Sequence, residues 1–249
     1  GRFDLSLESI GGFAPMLLVV LHSSGGEVGA GLPLAAAAGV TTLVVVLIGL
    51  INGLMVAKLK LNAFIVTLAM LILIRGFTLG LSGGQTFSGL PKALTFLGSA
   101  RTLGLPLQAW ILVGIFVVAW FVMEHTVAGR YVYAVGGNEA AAKAAGVPTF
   151  RVTLATFVIG SLLAAFSGFL LTARIASVTA SQGEGLIFTV FAAAVIGGIS
   201  LDGGRGDMLG AGLGVLLLGL IQNLLTLSDV PSFWINAAYG AIIIGALLM

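Results

Sequence analysis

Apolar runs long enough to cross a bilayer constrain this chain more than any other feature. From Leu32 to Ala57 there is not one charged side chain, and comparable runs recur along the sequence. A hydrocarbon core needs about 20 apolar residues at a helical rise of 1.5 Å. The 249 residues are 59% hydrophobic and 8% charged, whereas a soluble domain carries roughly a quarter charged residues. The chain therefore reads as an all-α polytopic transmembrane bundle. Its six to eight hydrophobic segments include Leu7–His22, Leu32–Ala57, Ala63–Leu81, Gln108–Met123, Val152–Thr172, Met208–Leu227 and Phe233–Met249. Leu186–Ile199 is too short to cross comfortably. Two readings stay open for it: a broken helix beside a pathway, or a plain helix that begins earlier, at Gln182.

The few charges orient the bundle. Lys58, Lys60, Arg130, Lys143, Arg151 and Arg205 fall on one set of loops, and Lys92, Arg101 and Arg174 on the other. The richer set belongs in the cytoplasm, and the long loop Ser82–Pro106 then faces outward. A net charge of +2 with scattered basic residues excludes nucleic-acid binding. With no cysteine there is neither a disulfide framework nor a thiolate metal site. His22 and His125 sit at span ends and read as interfacial residues, so neither a metal nor another cofactor is expected. No Ser–His–Asp arrangement has workable spacing, and no GxxxxGK[ST] loop occurs. The chain is therefore no enzyme, and any ATP hydrolysis belongs to a separate subunit. GGRGD at Gly203–Asp207 reads as a tight turn. Glycines spaced by four, at Gly49/Gly53, Gly76/Gly80/Gly84 and Gly206/Gly210/Gly214, read as close helix contacts in lipid.

The longest polar interruption is GRYVYAVGGNEAAAKAAGVP, Gly129–Pro148. Within it Asn138–Ala145 reads as a small self-contained helix. Asn138 is a suitable N-cap. Glu139 favours the helix dipole and lies four residues before Lys143, so the two can pair. Gly146 suits a left-handed C-cap, and Pro148 stops continuation. Alanines fill the rest, which leaves a smooth surface able to enter a socket on another protein. Asp4 with Ser6 can cap the first helix, and Asp202 or Asp207 the one at Met208.

GRYVYAVGGNEAAAKAAGV closely resembles the cytoplasmic coupling loop of sugar-type ABC importer permeases, the ribose/xylose/galactoside class. GRFDLSLES at Gly1–Ser9, NAFIVTLAMLILIR at Asn62–Arg75 and AAAVIGGISLDGGRG at Ala192–Gly206 resemble further motifs of that class, in family order. The resemblance implies a single permease domain, residues 1–249, truncated at both ends, with a coupling loop over 125–150. It implies a multi-pass protein of the bacterial inner membrane that translocates a monosaccharide. Its implied partners are a cytoplasmic ABC ATPase subunit, an extracytoplasmic sugar-binding protein, a second permease copy and the lipid bilayer. Coupling to the ATPase then falls to Gly137, Asn138, Glu139, Ala140, Ala141, Lys143 and Gly146. On this reading Glu139→Pro, at the start of the small helix, uncouples hydrolysis from transport.

A sugar path needs hydrogen-bonding groups and flat apolar faces. Candidates are Asn52, Asn62, Phe64, Thr67, Gln222 and Asn223, although adjacent amides such as Gln222 and Asn223 equally glue helices together. Arg75 lies inside a span, where a charge is functional by default. The alternative is that it marks an early helix end and anchors it at the headgroups. Two other functions stand beside the sugar permease: a branched-chain amino-acid ABC permease, and an ATP-independent secondary transporter. The latter needs mid-membrane ionisable groups, and Arg75 shows no obvious acidic partner in the sequence.

Overall fold

The structure is a computed structural model, and it describes residues 2–23, 29–88, 90–231, 234, 237–238, 240–241 and 244–245. Within these, ten helices follow in order: α1 (Ser6–His22), α2 (Leu34–Ala57), α3 (Ala63–Ser82), α4 (Lys92–Ser99), α5 (Leu107–His125), α6 (Val127–Gly137), α7 (Glu139–Ala144), α8 (Thr149–Ile175), α9 (Leu186–Ile196) and α10 (Met208–Leu227). Helices α2, α3, α5, α8 and α10 are long and apolar enough to span a membrane. The polytopic all-α reading holds, and these helices agree with the expected segments to within a few residues. Most of the expected last span, Phe233–Met249, lies outside the described residues.

Two compact units divide the chain: Phe3–Gly114 with Phe150–Glu184, and Gly1–Arg2 with Ile115–Thr149 and Gly185–Met249. In the first, α1 is the central element, buried along most of its length against α2 and α3. Ile10, Phe13 and Ala14 of α1 pack with Val45 and Ile48 of α2, Ile74 of α3 and Ala165 of α8. Glycine sets the spacing. A Cβ on Gly49 would lie 2.8 Å from the Val158 Cα, and one on Gly53 2.7 Å from Leu154. The Gly49/Gly53 pair is thus a helix contact, as its spacing suggests, whereas Gly76 and Gly80 on α3 meet nothing within 4 Å.

The Ser82–Pro106 stretch is more structured than a loop. Phe87–Ser88 (β1) pairs antiparallel with Ser177–Val178 (β4), and Arg101–Thr102 (β2) with Leu105–Pro106 (β3). Between them α4 starts after Pro91 and lies so close to α8 that a Cβ on Gly98 would overlap the Ala173 carbonyl. Eight residues are too few for a clear helical period, and the β1–β4 pairing joins residues 89 and 91 positions apart. Neither leaves a local signal.

In the second unit, α9 and α10 pack together around buried Ala192, Ala193 and Leu218. The small residues here are obligatory: a Cβ on Gly197 would sit 2.5 Å from the Gly210 carbonyl oxygen. Helix α9 has only eleven residues. Of the two readings for Leu186–Ile199, the short helix is the observed one. A start at Gln182 is ruled out because Gly183 and Gly185 take φ of +84° and +82°, left-handed values that no continuing helix tolerates.

Candidate functional site

The polar interruption folds as two helices, not one. Thr126 caps α6, accepting from the Gly129 amide while its own hydroxyl donates to the Val122 carbonyl. Gly129 is buried against α5, where a Cβ would overlap the backbone of Met123. Only glycine permits that reversal between α5 and α6. On α6, Tyr133 donates to Glu124 Oε1 at 3.2 Å. Burial first, then the negative charge of Glu124 and this hydrogen bond, push the Tyr133 phenol above its ordinary pKa.

Asn138 then breaks the helix with φ −155°, and its Oδ1 accepts from the Ala141 amide at 3.0 Å to start α7. At the other end Gly146 has φ +82°. Its amide reaches the Lys143 carbonyl, and Val147 N–H reaches Ala142 O, both at 3.0 Å. That pair of bonds is a Schellman cap. Ala142 is buried, whereas Ala140, Ala141, Lys143 and Ala144 are exposed. The element is a capped, two-turn helix with a small-residue outward face.

One contact differs from the sequence expectation, and so does the outcome expected of one substitution. Glu139 forms its ion pair with Arg2, not with Lys143. And Glu139 is the first helical residue, following an extended Asn138. Proline is favoured at that position because its fixed φ suits a first helical residue and no bond within the helix is lost with the amide. Glu139→Pro therefore leaves α7 intact and is the wrong probe. Ala142 is the right position: its amide donates to the Asn138 carbonyl at 2.9 Å, a bond that proline would delete.

The path candidates separate by role. Asn62 caps α3, accepting from Phe64 and Ile65 amides. Phe64 is exposed. Thr67 is fully buried, accepts from the Leu5 amide at 3.0 Å and donates to Ala63 O at 2.8 Å. It therefore pins the segment before α1 to α3. Asn52, fully buried on α2, donates to Ser6 Oγ at 2.9 Å, and Ser6 Oγ donates to Asp4. Asp4 also accepts from the Ser6 amide, as expected of a cap. Burial outweighs these hydrogen bonds and raises the Asp4 pKa above 3.8. Gln222 and Asn223 are exposed on α10, in the other unit from Arg75. Asp207 caps α10 through the Gly210 amide.

Arg75 is neither at a helix end nor alone. It sits well inside α3 and bonds Glu8 of α1 at 2.8 Å and Glu184 at 2.9 Å. The Glu8 side chain is 5% exposed and that of Glu184 63%. Both acids escaped the sequence reading because they lie 67 and 109 positions from Arg75 in the chain. Gln182, on the same loop as Glu184, is buried and donates to Gly168 O and Thr172 Oγ1 of α8. The 176–185 segment thus folds back along α8. His22 Nδ1 bonds the Leu32 carbonyl, and His125 stacks on Phe121. Among the described residues no group of three His, Asp or Glu side chains could hold a metal.

The chain matches along residues 1–249 the family described as branched-chain amino acid transport system / permease component. It is 35% identical over 221 residues to the ribose import permease protein of Haemophilus influenzae, covering 87% of this chain and 68% of that one. Identity is 34% over 248 residues with the L-arabinose ABC transporter permease protein of Azospirillum brasilense, 100% of this chain and 71% of that one. It is 36% over 249 residues with the autoinducer 2 import system permease protein of an Enterobacter strain, again 100% and 71%. Across such curated relatives the chain spans between 59% and 71% of their length. No solved structure matches it.

Proposed function

The chain belongs to the branched-chain amino acid transport system / permease component family, and on that premise we propose that it is the permease subunit of an ABC importer for a monosaccharide. It is a multi-pass protein of the inner membrane. A cytoplasmic ATPase subunit supplies the energy, and an extracytoplasmic binding protein supplies the sugar. A second permease copy completes the path within the lipid bilayer. The observation behind this reading is α7, a doubly capped helix with Ala140, Ala141 and Lys143 outward. It lies between helices α5 and α8, both long and apolar enough to span a membrane. A short rigid helix with a smooth face docks at little entropic cost.

The mechanism follows from that geometry. Closure of an ATPase pair displaces α7, which is held at both ends and moves as a body. The spans attached to it shift between two packings of similar energy, opening the path to one side and then the other. Ribose, arabinose and autoinducer 2 in the relatives' names favour a sugar-like polyol over a branched-chain amino acid, despite the family's description. The Arg75–Glu8–Glu184 group removes one objection to a secondary transporter, namely the missing acidic partner. The relatives' names, ABC transporter permease and import system permease, do not favour that reading.

The test is a pull-down of the tagged full-length protein from its native membranes, with mass spectrometry of what accompanies it. An ATPase with a phosphate-binding loop and a secreted binding protein are the expected companions. A well-folded protein recovered alone in mild detergent overturns the proposal.

A further inference from the structure

From sequence alone, the turn between α9 and α10 does no more than reverse the chain. Its geometry gives it a second role. Ser200 N–H bonds the Arg205 carbonyl at 3.0 Å, which closes the turn over the glycines. Gly203, Gly204 and Gly206 all have left-handed φ values of +90°, +70° and +131°. Gly204 lies directly against the end of α6. A Cβ on Gly204 would overlap the Cα and N of Gly137, and one on Gly136 would lie 2.8 Å from the Gly204 amide nitrogen. This is backbone on backbone, immediately before Asn138 starts α7. No side chain lies between the two to absorb a displacement, so a shift of one backbone is a shift of the other.

The far end of the turn is equally rigid. Asp207 caps α10. Gly197 and Gly210 abut so closely that a Cβ on either would collide with the other's carbonyl, and a Cβ on Gly214 would overlap the Ala193 carbonyl. Phe116 of α5 fills the space above Gly212. We infer that the Ser200–Gly206 turn is the shoe through which displacement of the coupling helix α7 drives the α9–α10 pair. The inference rests on the permease reading and adds to it the route of the movement. The element driven includes α9, whose eleven residues cannot cross a bilayer.

Two experiments on the complete transporter in proteoliposomes test it. The first compares three alanine variants by uptake per ATP hydrolysed. Gly204→Ala and Gly136→Ala break the seat and lower the ratio by about tenfold, within the usual range of coupling factors. Gly219→Ala, which meets nothing within 4 Å, keeps the wild-type ratio. A wild-type ratio for both Gly204→Ala and Gly136→Ala overturns the inference.

The second experiment leaves every glycine in place, so it does not depend on those variants folding. The chain has no cysteine, so spin labels at Ala144→Cys and Arg205→Cys are unique within it, and both positions are exposed. Their separation stays constant between the nucleotide-free and ATP-locked states if α7 and the turn move as one. A change of more than about 2 Å, the scale of helix shifts in switching proteins, overturns it. If no ATPase subunit accompanies the wild-type protein at all, the permease reading itself falls, and this inference falls with it.

Discussion

At the scale of single residues, the most consequential group is Arg75 with its two acids. Its members are unequal. Glu8 is nearly buried and Glu184 is mostly in the open. Removing one partner of a buried pair costs about 3–5 kcal/mol because a charge is left stranded, while an exposed pair is worth at most about 1 kcal/mol. Arg75→Met, which takes the guanidinium from Glu8, is therefore the most destabilising of the set, followed by Glu8→Gln. Glu184→Gln is nearly neutral. Thermal unfolding in mild detergent checks that order, and an equal loss for Glu184→Gln would contradict it. Asp4 makes a separate prediction. Its folded-state pKa is raised by burial, so the folded protein holds that proton more tightly than the unfolded chain. The resulting stability is present below pH 3.8 and is lost as pH rises through the folded value. Asp4→Asn keeps a capping oxygen but removes the titration. Its unfolding temperature varies less with pH over that window than the wild type's.

At the scale of elements, glycine decides which helices touch. The same four-residue spacing occurs on α2, α3 and α10, yet the outcomes differ. Gly53 faces Leu154 and Phe157 of α8, whereas Gly80 faces open space. Overpacking a tight contact costs about 1–3 kcal/mol. Gly53→Leu accordingly lowers the detergent melting temperature, and Gly80→Leu leaves it close to wild type. Equal shifts would show that the α2–α8 approach is not tight. Spacing alone cannot separate these cases, because it describes one helix and a contact needs two. The local features of elements were far more legible. Asn138 and Asp207 each cap the helix that their positions suggested, since a cap bonds amides only two or three residues away. For the same reason Gly146 could be assigned its left-handed turn from the sequence.

At the scale of the whole molecule, the question is whether α7 transmits force. A lever must stay helical under load. Ala142→Pro deletes the bond from Ala142 N–H to Asn138 O and breaks the short helix, at a cost of about 3 kcal/mol. Uptake of the transported sugar falls to background while the amount of permease in the membrane is unchanged. Glu139→Pro, at the favoured first position, preserves uptake much better. Comparable losses in the two variants would mean that the Arg2–Glu139 pair, not the helix, is what transport requires.

The sequence by itself determined the solvent, the class and the punctuation of this protein. Long uncharged runs demand a bilayer, and their lengths demand helices. Asn, Asp and Gly at the ends mark where several of those helices start and stop. All of these are short-range consequences of composition and backbone geometry. Only the tertiary structure decided which polar groups meet. It joined Arg75 to Glu8 and Glu184, and it made the Asn52–Ser6–Asp4 chain a buried network, where the sequence offered isolated polar residues. It also set Gly204 of the glycine turn against Gly137 at the end of α6, 67 residues away along the chain. Such pairings depend on how helices stack. The stacking is set by where each helix lacks a side chain and what its neighbour brings to the gap, and neither is visible along a single strand of letters.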